Sequence, residues 1–344
     1  MYSFTELPSP GKPLRDRPAS AVSRFLRNPV KCPSGFLVLL SVFAVIAAVS
    51  LGCSRKEEPR KVILERQMTD SPQSLGPSPA MKKRLRVAIA AMISPKETLV
   101  SYNDLMTYIG NKMGMEVELV QRKTYEEVNE LLKNNLLDIA FVCTGAYVKG
   151  HRDFDMEILV APVTNGQTYY NSYIIVPADS PVRSMDGLKG KTFAFTDPMS
   201  NTGKLAPTYK LALMNQTPDR FFSSFIYTYS HDKSIEAVAR KQVDAAAVDS
   251  LVWNYMNRKS PELTSRTRIL CKSEPYGIPP IVVSRAVGPE MKRKLRNIFL
   301  AANQDEEGKR ILSAIMIDRF VVVDDGIYDS VRVMDKWVCR DAGK

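Results

Sequence analysis

Leu137-Asp-Ile-Ala-Phe-Val142 and Val243-Asp-Ala-Ala-Ala-Val248 are two short apolar runs, each opened by an aliphatic residue and an aspartate. Runs of this length, apolar at every later position, read as strands buried on both faces. Working outward, each is preceded by the same layout. Ahead of the first lie a strand at Arg84–Ala91 and a helix at Ser101–Met113 behind a Ser101-x-x-Asp104 start signal. A strand at Glu116–Gln121 and a helix through Leu136 follow, the latter opened by the capping box Thr124-Tyr-Glu-Glu127. Ahead of the second lie a strand at Lys191–Phe195, a helix at Thr202–Asn215, a strand at Ser224–Tyr229 and a helix at Asp232–Lys241. Alternating strands and helices predict sheets that are mainly parallel and flanked by helices on both faces. The repetition predicts two similar α/β lobes.

The whole chain has 344 residues, enough for about two ordinary domains. Its net charge of +11 is unevenly spread: residues 1–83 carry 13 basic and 6 acidic side chains, the remainder 35 and 31. A nucleic-acid binder concentrates positive charge on its folded part, so this distribution argues against one. Five cysteines without a CxxC pair exclude a zinc knuckle, and two histidines, His151 and His231, make a poor metal cluster. Neither a metal nor a cofactor is expected.

Phe36–Leu51 is a run of 16 uncharged residues behind Arg15, Arg17, Arg24, Arg27 and Lys31. It is short for a spanning helix, which needs about 18–20 apolar residues, and fits the apolar core of a secretory signal. The run ends in Ser50-Leu51-Gly52-Cys53, which resembles a bacterial lipoprotein signal with Cys53 as the lipidated residue, although Leu51 sits one place late. An uncleaved anchor is the alternative, and both export the rest of the chain. Residues 54–83, with Pro59, Pro72, Pro77 and Pro79, lack apolar periodicity and read as a disordered tether. The exported cysteines Cys143, Cys271 and Cys339 allow one disulfide and a free thiol, but the apolar pattern around Cys143 favours a buried small hydrophobe.

Ligands of open α/β sheets sit at the carboxyl ends of the strands. That rule selects Met92, Ser94, Thr144, Gly145 and Tyr147 from the first half, and Asp197, Ser200–Gly203, His231, Asp249 and Ser250 from the second. Asp197-Pro-Met-Ser200-Asn201-Thr202-Gly203 lies between a strand and a helix, where backbone N–H groups can meet an oxyanion; an ordinary N-cap is the plainer reading. His231 is either a helix-start residue or a donor to an anion that protonation would strengthen. Asp249 in an anion site makes sense only if the anion itself carries a proton, as monohydrogen phosphate or a phosphonate does; otherwise it caps the next helix. Tyr170, where the chain leaves the first half, either reaches the cleft or packs at the junction.

From about Arg84 to Met334 the chain resembles the phosphate/phosphite/phosphonate substrate-binding proteins of ABC transporters. The segments that carry the resemblance are LDIAFVCTGAYV (137–148), YNSYIIVPADSPVRSMDGLKGKTFAF (170–195), TDPMSNTGKLAP (196–207), SHDKSIEAVARKQVDAAAVDS (230–250) and PYGIPPIVVSR (275–285). The resemblance implies a two-lobe periplasmic-binding-protein fold of class II type, with 84–168 plus 287–338 forming one lobe and 169–286 the other. A signal segment at 1–53 and the tether at 54–83 would precede it. It implies a monomer at the periplasmic face of a bacterial membrane, held by a lipid on Cys53 and serving an ABC permease and ATPase. Where the family commonly has Ser-Thr-Ser-Gly, this chain has Ser200-Asn201-Thr202-Gly203. By resemblance Ser200, Asn201 and Thr202 grip a phosphorus oxyanion, with His231 and Tyr170 as further donors. Asp249 rests on its strand-end position alone.

Two competing roles follow from the same residues. A sensor for a signalling partner, or a binder of another small anion, keeps the fold. A hydrolase would need Ser200, His231 and Asp249 as a relay, but Ser200 is set in a cap rather than on a nucleophile elbow.

Overall fold

The computed structural model describes residues 83–341. The signal segment, Cys53 and the tether up to residue 82 lie outside the described residues. Among the described residues thirteen strands form two sheets and a ribbon. The first sheet takes β1 (Arg84–Ile89), β2 (Glu116–Val120), β3 (Ile139–Phe141) and β4 (Glu157–Val163) from the first half of the chain. After the short β5 (Tyr169–Tyr170), the second sheet takes β6 (Ser172–Pro177), β7 (Thr192–Phe195), β8 (Ser224–Tyr227), β9 (Ala245–Asp249) and β10 (Thr267–Lys272). The chain then passes through β11 (Tyr276–Gly277) and returns to the first sheet as β12 (Ile281–Val283) and β13 (Arg319–Val321). Helices longer than one turn are α1 (Pro95–Met113), α2 (Tyr125–Lys133), α3 (Thr144–Phe154), α4 (Ala206–Leu213), α5 (His231–Ala239), α6 (Ser250–Lys259), α7 (Pro289–Ala301), α8 (Glu306–Ala314) and α9 (Asp329–Asp341).

The repeat seen in the sequence is a repeat in space. The sheets run β2-β1-β3-β12-β4, with β13 added beyond β4, and β8-β7-β9-β6-β10. The two diagnostic runs occupy matching places, as β3 and β9. Pairing is parallel for β2-β1-β3 and β8-β7-β9 and antiparallel for the rest. The expected mainly parallel sheets therefore hold for most strand directions, while one reversed strand is inserted within each sheet and β13 is reversed at the edge of the first. The inserted strand is the one delivered from the other lobe, β6 in the second and β12 in the first. Hence Ile281–Val283, placed by the sequence reading within the second lobe (169–286), belongs to the first sheet. The boundary falls before it, because Pro279 and Pro280 end the crossing and the apolar strand follows at once.

Both crossings meet in the antiparallel β5/β11 ribbon, which pairs Tyr170 with Tyr276 and Tyr169 with Gly277. The Tyr328 hydroxyl donates to the Ile278 carbonyl, and a Cβ on Gly277 would lie 2.8 Å from the Ile327 oxygen. The ribbon is thus packed tightly against the segment that leads into α9.

Alternation along the strands decides each sheet's two faces. Val87, Ile89, Ile139 and Phe141 face α1, α7 and α8, whereas Ala88 and Ala140 make room for α2 and α3. In the second sheet Ile175, Ala194, Ala246 and Val248 pack under α5 and α6, and Phe193, Phe195 and Ala247 fill the other face. Helix α1 starts at Pro95, not at Ser101. Proline at the first helical position, with Glu97 in the first turn, outweighs the Ser101-x-x-Asp104 signal, and Ser101 lies mid-helix with its hydroxyl 2.6 Å from that of Tyr255. The Thr124 capping box is present with both of its hydrogen bonds. Cys143 and Cys271 are free thiols.

Phe193 is fully buried and stacked on Phe222 at 4.3 Å. Phe193→Ala is expected to lower stability by about 3–5 kcal/mol, read as a shifted midpoint in urea unfolding followed by circular dichroism.

Candidate functional site

Between the carboxyl ends of the two sheets the lobes touch through polar groups. After β1, the Met92 carbonyl accepts the backbone N–H of His231, which opens α5 after β8 (2.9 Å). Ser94, at the start of α1, donates its backbone N–H to Asp232 Oδ1 (2.9 Å). Tyr125, first residue of α2, donates its backbone N–H to Asp197 Oδ2 (3.2 Å). That N–H belongs to the first turn of α2 and has no partner within the helix, so a carboxylate of the second lobe supplies one. Opposite it, the Thr144–Gly145 turn at the start of α3 presses on the turn after β7. A Cβ on Gly145 would lie 2.3 Å from the Met199 oxygen and 2.9 Å from the Asn201 nitrogen. Glycine is required there by proximity.

The turn after β7 begins with Ser200, whose Oγ accepts the N–H of Gly203 at 3.0 Å, and continues as a π-helical turn, Asn201–Leu205, before α4. The wider π turn fits the rule that such turns gather at functional sites. Gly203 has no room for a side chain, since a Cβ would lie 2.5 Å from Thr196 Oγ1. Ser200, Asn201 and Thr202 are fully buried, as are Thr144 and His231.

In this cluster four buried side-chain atoms have no hydrogen-bond partner among the described residues: Tyr125 OH, Asn201 Oδ1, Thr202 Oγ1 and His231 Nε2. Leaving such atoms unpaired costs about 1–3 kcal/mol each. Contacts draw them together. Asn201 Nδ2 donates to the Tyr170 hydroxyl (3.2 Å). The backbone N–H of Asn201 reaches the Cys143 sulfur, and Tyr125 and Tyr170 both lie near Cys143 and Asp249. Thr202 is tied in through its carbonyl, which accepts from Ser172 Oγ (2.6 Å), and Ser172 pairs with Asp249 across the sheet.

The tautomer of His231 follows from its other nitrogen. Nδ1 accepts the backbone N–H of Asp249 at 3.0 Å, so the ring proton resides on Nε2, the unpaired atom. Burial pushes the imidazole down to about 3, so it donates as a neutral ring without needing protonation. Burial holds the Tyr125 and Tyr170 hydroxyls well above their usual value of 10, so both keep their protons as donors. A half-turn of the Asn201 amide would let Tyr170 donate to its oxygen and present its N–H groups. Among the described residues no lysine or arginine belongs to this cluster. The nearest in sequence is Lys204, whose ammonium lies 3.9 Å from the ring centre of Phe195 and over Phe225 and Tyr227, pulled down to about 8 by burial. The arrangement can surround an oxyanion with neutral dipoles.

Carboxylates stand close by, each with a partner. Asp197 accepts from Met199 and Tyr125, and Asp249 Oδ1 accepts the N–H of Leu251 at 2.7 Å, capping α6. Burial pushes the Asp249 carboxyl up to about 7. The cap reading of Asp249 is thus realised, and the residue also stands beside the anion cluster. Because His231 Nδ1 bonds the Asp249 backbone and Ser200 Oγ accepts from Gly203, the three do not form a hydrolytic relay.

Of the residues selected from sequence, Tyr170, Ser200, Asn201, Thr202, Gly203, His231 and Asp249 are brought together, with Gly145 in contact. Thr144 is adjacent, but its hydroxyl donates to the Gly277 carbonyl (2.8 Å) and anchors the ribbon. Ser94 is at the lobe junction through its backbone. Tyr147 is turned elsewhere: its hydroxyl donates to Asp325 and its ring packs on Tyr328, because α3 directs it toward the C-terminal segment. Tyr125 and Cys143 were missed as site residues. Tyr125 reads as an ordinary first helical residue, and only its place after β2, a strand-end position, could have marked it.

The family model described as ABC transporter, phosphonate, periplasmic substrate-binding protein matches residues 87–328. The phosphate-import protein PhnD of Mycolicibacterium smegmatis is 27% identical over 311 residues, covering 84% of this chain and 92% of that protein. The crystal structure of a binding-protein component of an ABC phosphonate transporter from Pseudomonas aeruginosa superposes with a TM-score of 0.72 at 24% identity, over 75% of this chain and 87% of the other. PhnD1 from Prochlorococcus marinus in complex with methylphosphonate superposes with a TM-score of 0.68 at 18% identity, over 74% and 98%.

Gly145→Ala places a methyl group where the lobes meet. It is expected to weaken ligand binding by about 5- to 150-fold, as a clash of about 1–3 kcal/mol in a packed site would, while the unfolding midpoint without ligand moves little because lobe opening relieves the clash. Titration calorimetry paired with thermal melts checks both halves.

Proposed function

Because the chain belongs to the periplasmic substrate-binding proteins of phosphonate ABC transporters, we propose that it captures phosphate, phosphite or a phosphonate between its lobes through Tyr125, Tyr170, Asn201, Thr202 and His231. It is a transporter component rather than an enzyme. The observation that carries the ligand assignment is the set of four buried, unpaired polar atoms contributed by both lobes. An oxyanion offers acceptor oxygens in several directions at once, and only the closed form lets both lobes reach it. Ligand binding therefore favours closure through contacts that the open form lacks. The loaded, closed protein would present its cargo to the permease, whose ATPase drives transport.

Asp249 gives the site a reason to prefer phosphorus acids over fully ionised anions. Its carboxyl, raised to about 7 by burial, and a phosphonate of similar acidity share one proton across their contact. Either partner can carry it. Above pH 7 both lose it, and two negative charges would face each other. Upstream, Cys53 is the proposed lipid attachment point, residues 54–83 the tether, and the lobes work as a monomer. Among the described residues no helix is long and apolar enough to cross a membrane.

Calorimetry is expected to find tight binding of at least one of phosphate, phosphite and methylphosphonate; no heat from any of them would refute the ligand class. Affinity is expected to fall between pH 7 and 9 more steeply in the native protein than in Asp249→Asn. A raised carboxyl favours the bound state below its pKa and loses that contribution as pH rises through it. His231, neutral throughout, adds no step near pH 6.5. Equal slopes in the two proteins would remove the shared proton. For the anchor, Cys53→Ala is expected to move the protein from the detergent phase to the aqueous phase on Triton X-114 partitioning of host cells.

A further inference from the structure

Ser101 lies mid-helix in α1, where it caps nothing, and its hydroxyl reaches the other lobe, 2.6 Å from the Tyr255 hydroxyl of α6. Lys259, one turn further along α6, donates to that same hydroxyl at 3.1 Å and to Glu97 Oε2 of α1 at 2.5 Å. A phenol that accepts from an ammonium still has its own proton to give, so Tyr255 donates to Ser101. Arg258 adds a longer bond to the Ser313 carbonyl of α8 (3.4 Å). Glu97, Lys259, Tyr255 and Ser101 therefore form one hydrogen-bonded chain between the lobes. Among the described residues, its bonds do not involve Tyr125, Asn201, Thr202 or His231.

The two helices connect this chain to the anion site. Helix α6 has ten residues, about 15 Å of length. Asp249 caps its start beside the anion cluster, and Lys259 closes its last turn. Helix α1 begins next to Ser94, whose N–H meets Asp232 of the second lobe, and Glu97 lies in its first turn. Glu97 is thus at the positive end of α1 and Lys259 at the negative end of α6, where each charge is favoured on its own helix before the lobes meet. The Lys259 and Glu97 side chains are 36% and 25% exposed, so dissolved salt reaches the pair while water screens it only in part.

Resting on the phosphorus-anion reading above, we propose that this chain is a latch made as the lobes close, and that Glu97 and Lys259 are positioning residues that raise ligand affinity without touching the ligand. Closure brings α1 against α6, so the latch and the bound anion favour the same state. The exposed ion pair also carries its own salt sensitivity into ligand affinity.

The test is titration calorimetry with inorganic phosphate and with methylphosphonate on the native protein, Glu97→Gln, Lys259→Gln and the double variant. Each single variant is expected to lose about fivefold in affinity, the upper end for a half-exposed pair. The double variant is expected to lose no more than either, because the pair is broken only once. Lys259→Arg, which keeps the charge, is expected to recover most of the loss. Raising salt from about 0.02 to 0.5 M is expected to weaken native binding more than binding by the double variant, whereas competition from the salt's anion acts on both alike. Losses that multiply in the double variant, native affinity in all three variants, or equal salt slopes would overturn the latch and leave the anion site standing. A native protein that binds neither ligand would remove both readings.

Discussion

A neutral imidazole held in a protein interior with its N–H unpaired is costly, and His231 is held that way from three sides. Its backbone is tied to Met92 of the other lobe, its Nδ1 to the Asp249 backbone, and its ring is fully buried. Those ties leave Nε2–H a single direction. The hydroxyl of Thr202, the amide oxygen of Asn201 and the phenol of Tyr125 are similarly buried and unpaired among the described residues, and they come from one element on each side of the cleft. Among the described residues these groups do not satisfy one another, which is the ground for the proposed anion site.

Closure is held by backbone as much as by side chains. Asp197 accepts the first N–H of α2, and Asp232 accepts the N–H of Ser94, so carboxylates of one lobe sit on helix starts of the other. Gly145 allows the approach that brings the two turns together. The negative charges that look misplaced in an anion site are thus engaged in joining the lobes. Burial raises the carboxyls of both Asp197 and Asp249, the latter to about 7. On the proposed reading, neutral donors and a proton-sharing acid together would favour an ion that still carries a proton over one that has none.

Much of this was legible in the residues. The LDIAFV and VDAAAV runs read as strands because their periodicity is local, and they do occupy equivalent places as β3 and β9. The capping box at Thr124 and the strand-end rule for Ser200, Asn201, Thr202 and His231 also depend on a few neighbouring residues. What local patterns cannot reveal is exchange between lobes. Ile281–Val283 looks like any buried strand, and its place in the first sheet follows from the ribbon that precedes it. Tyr147 lies on a correctly placed helix, but the direction of a side chain is set by packing, here by Tyr328 and Asp325. Tyr125 was hidden for the opposite reason, since a first helical residue explains itself without a ligand.

The most direct test is a crystal structure of the protein grown with methylphosphonate. The account predicts the phosphorus between the lobes, with its oxygens within hydrogen-bond distance of His231 Nε2, Thr202 Oγ1, Asn201 and Tyr125 OH, and one oxygen facing Asp249. A ligand found outside this cluster, with His231 Nε2 and Thr202 Oγ1 still unpaired, would contradict it.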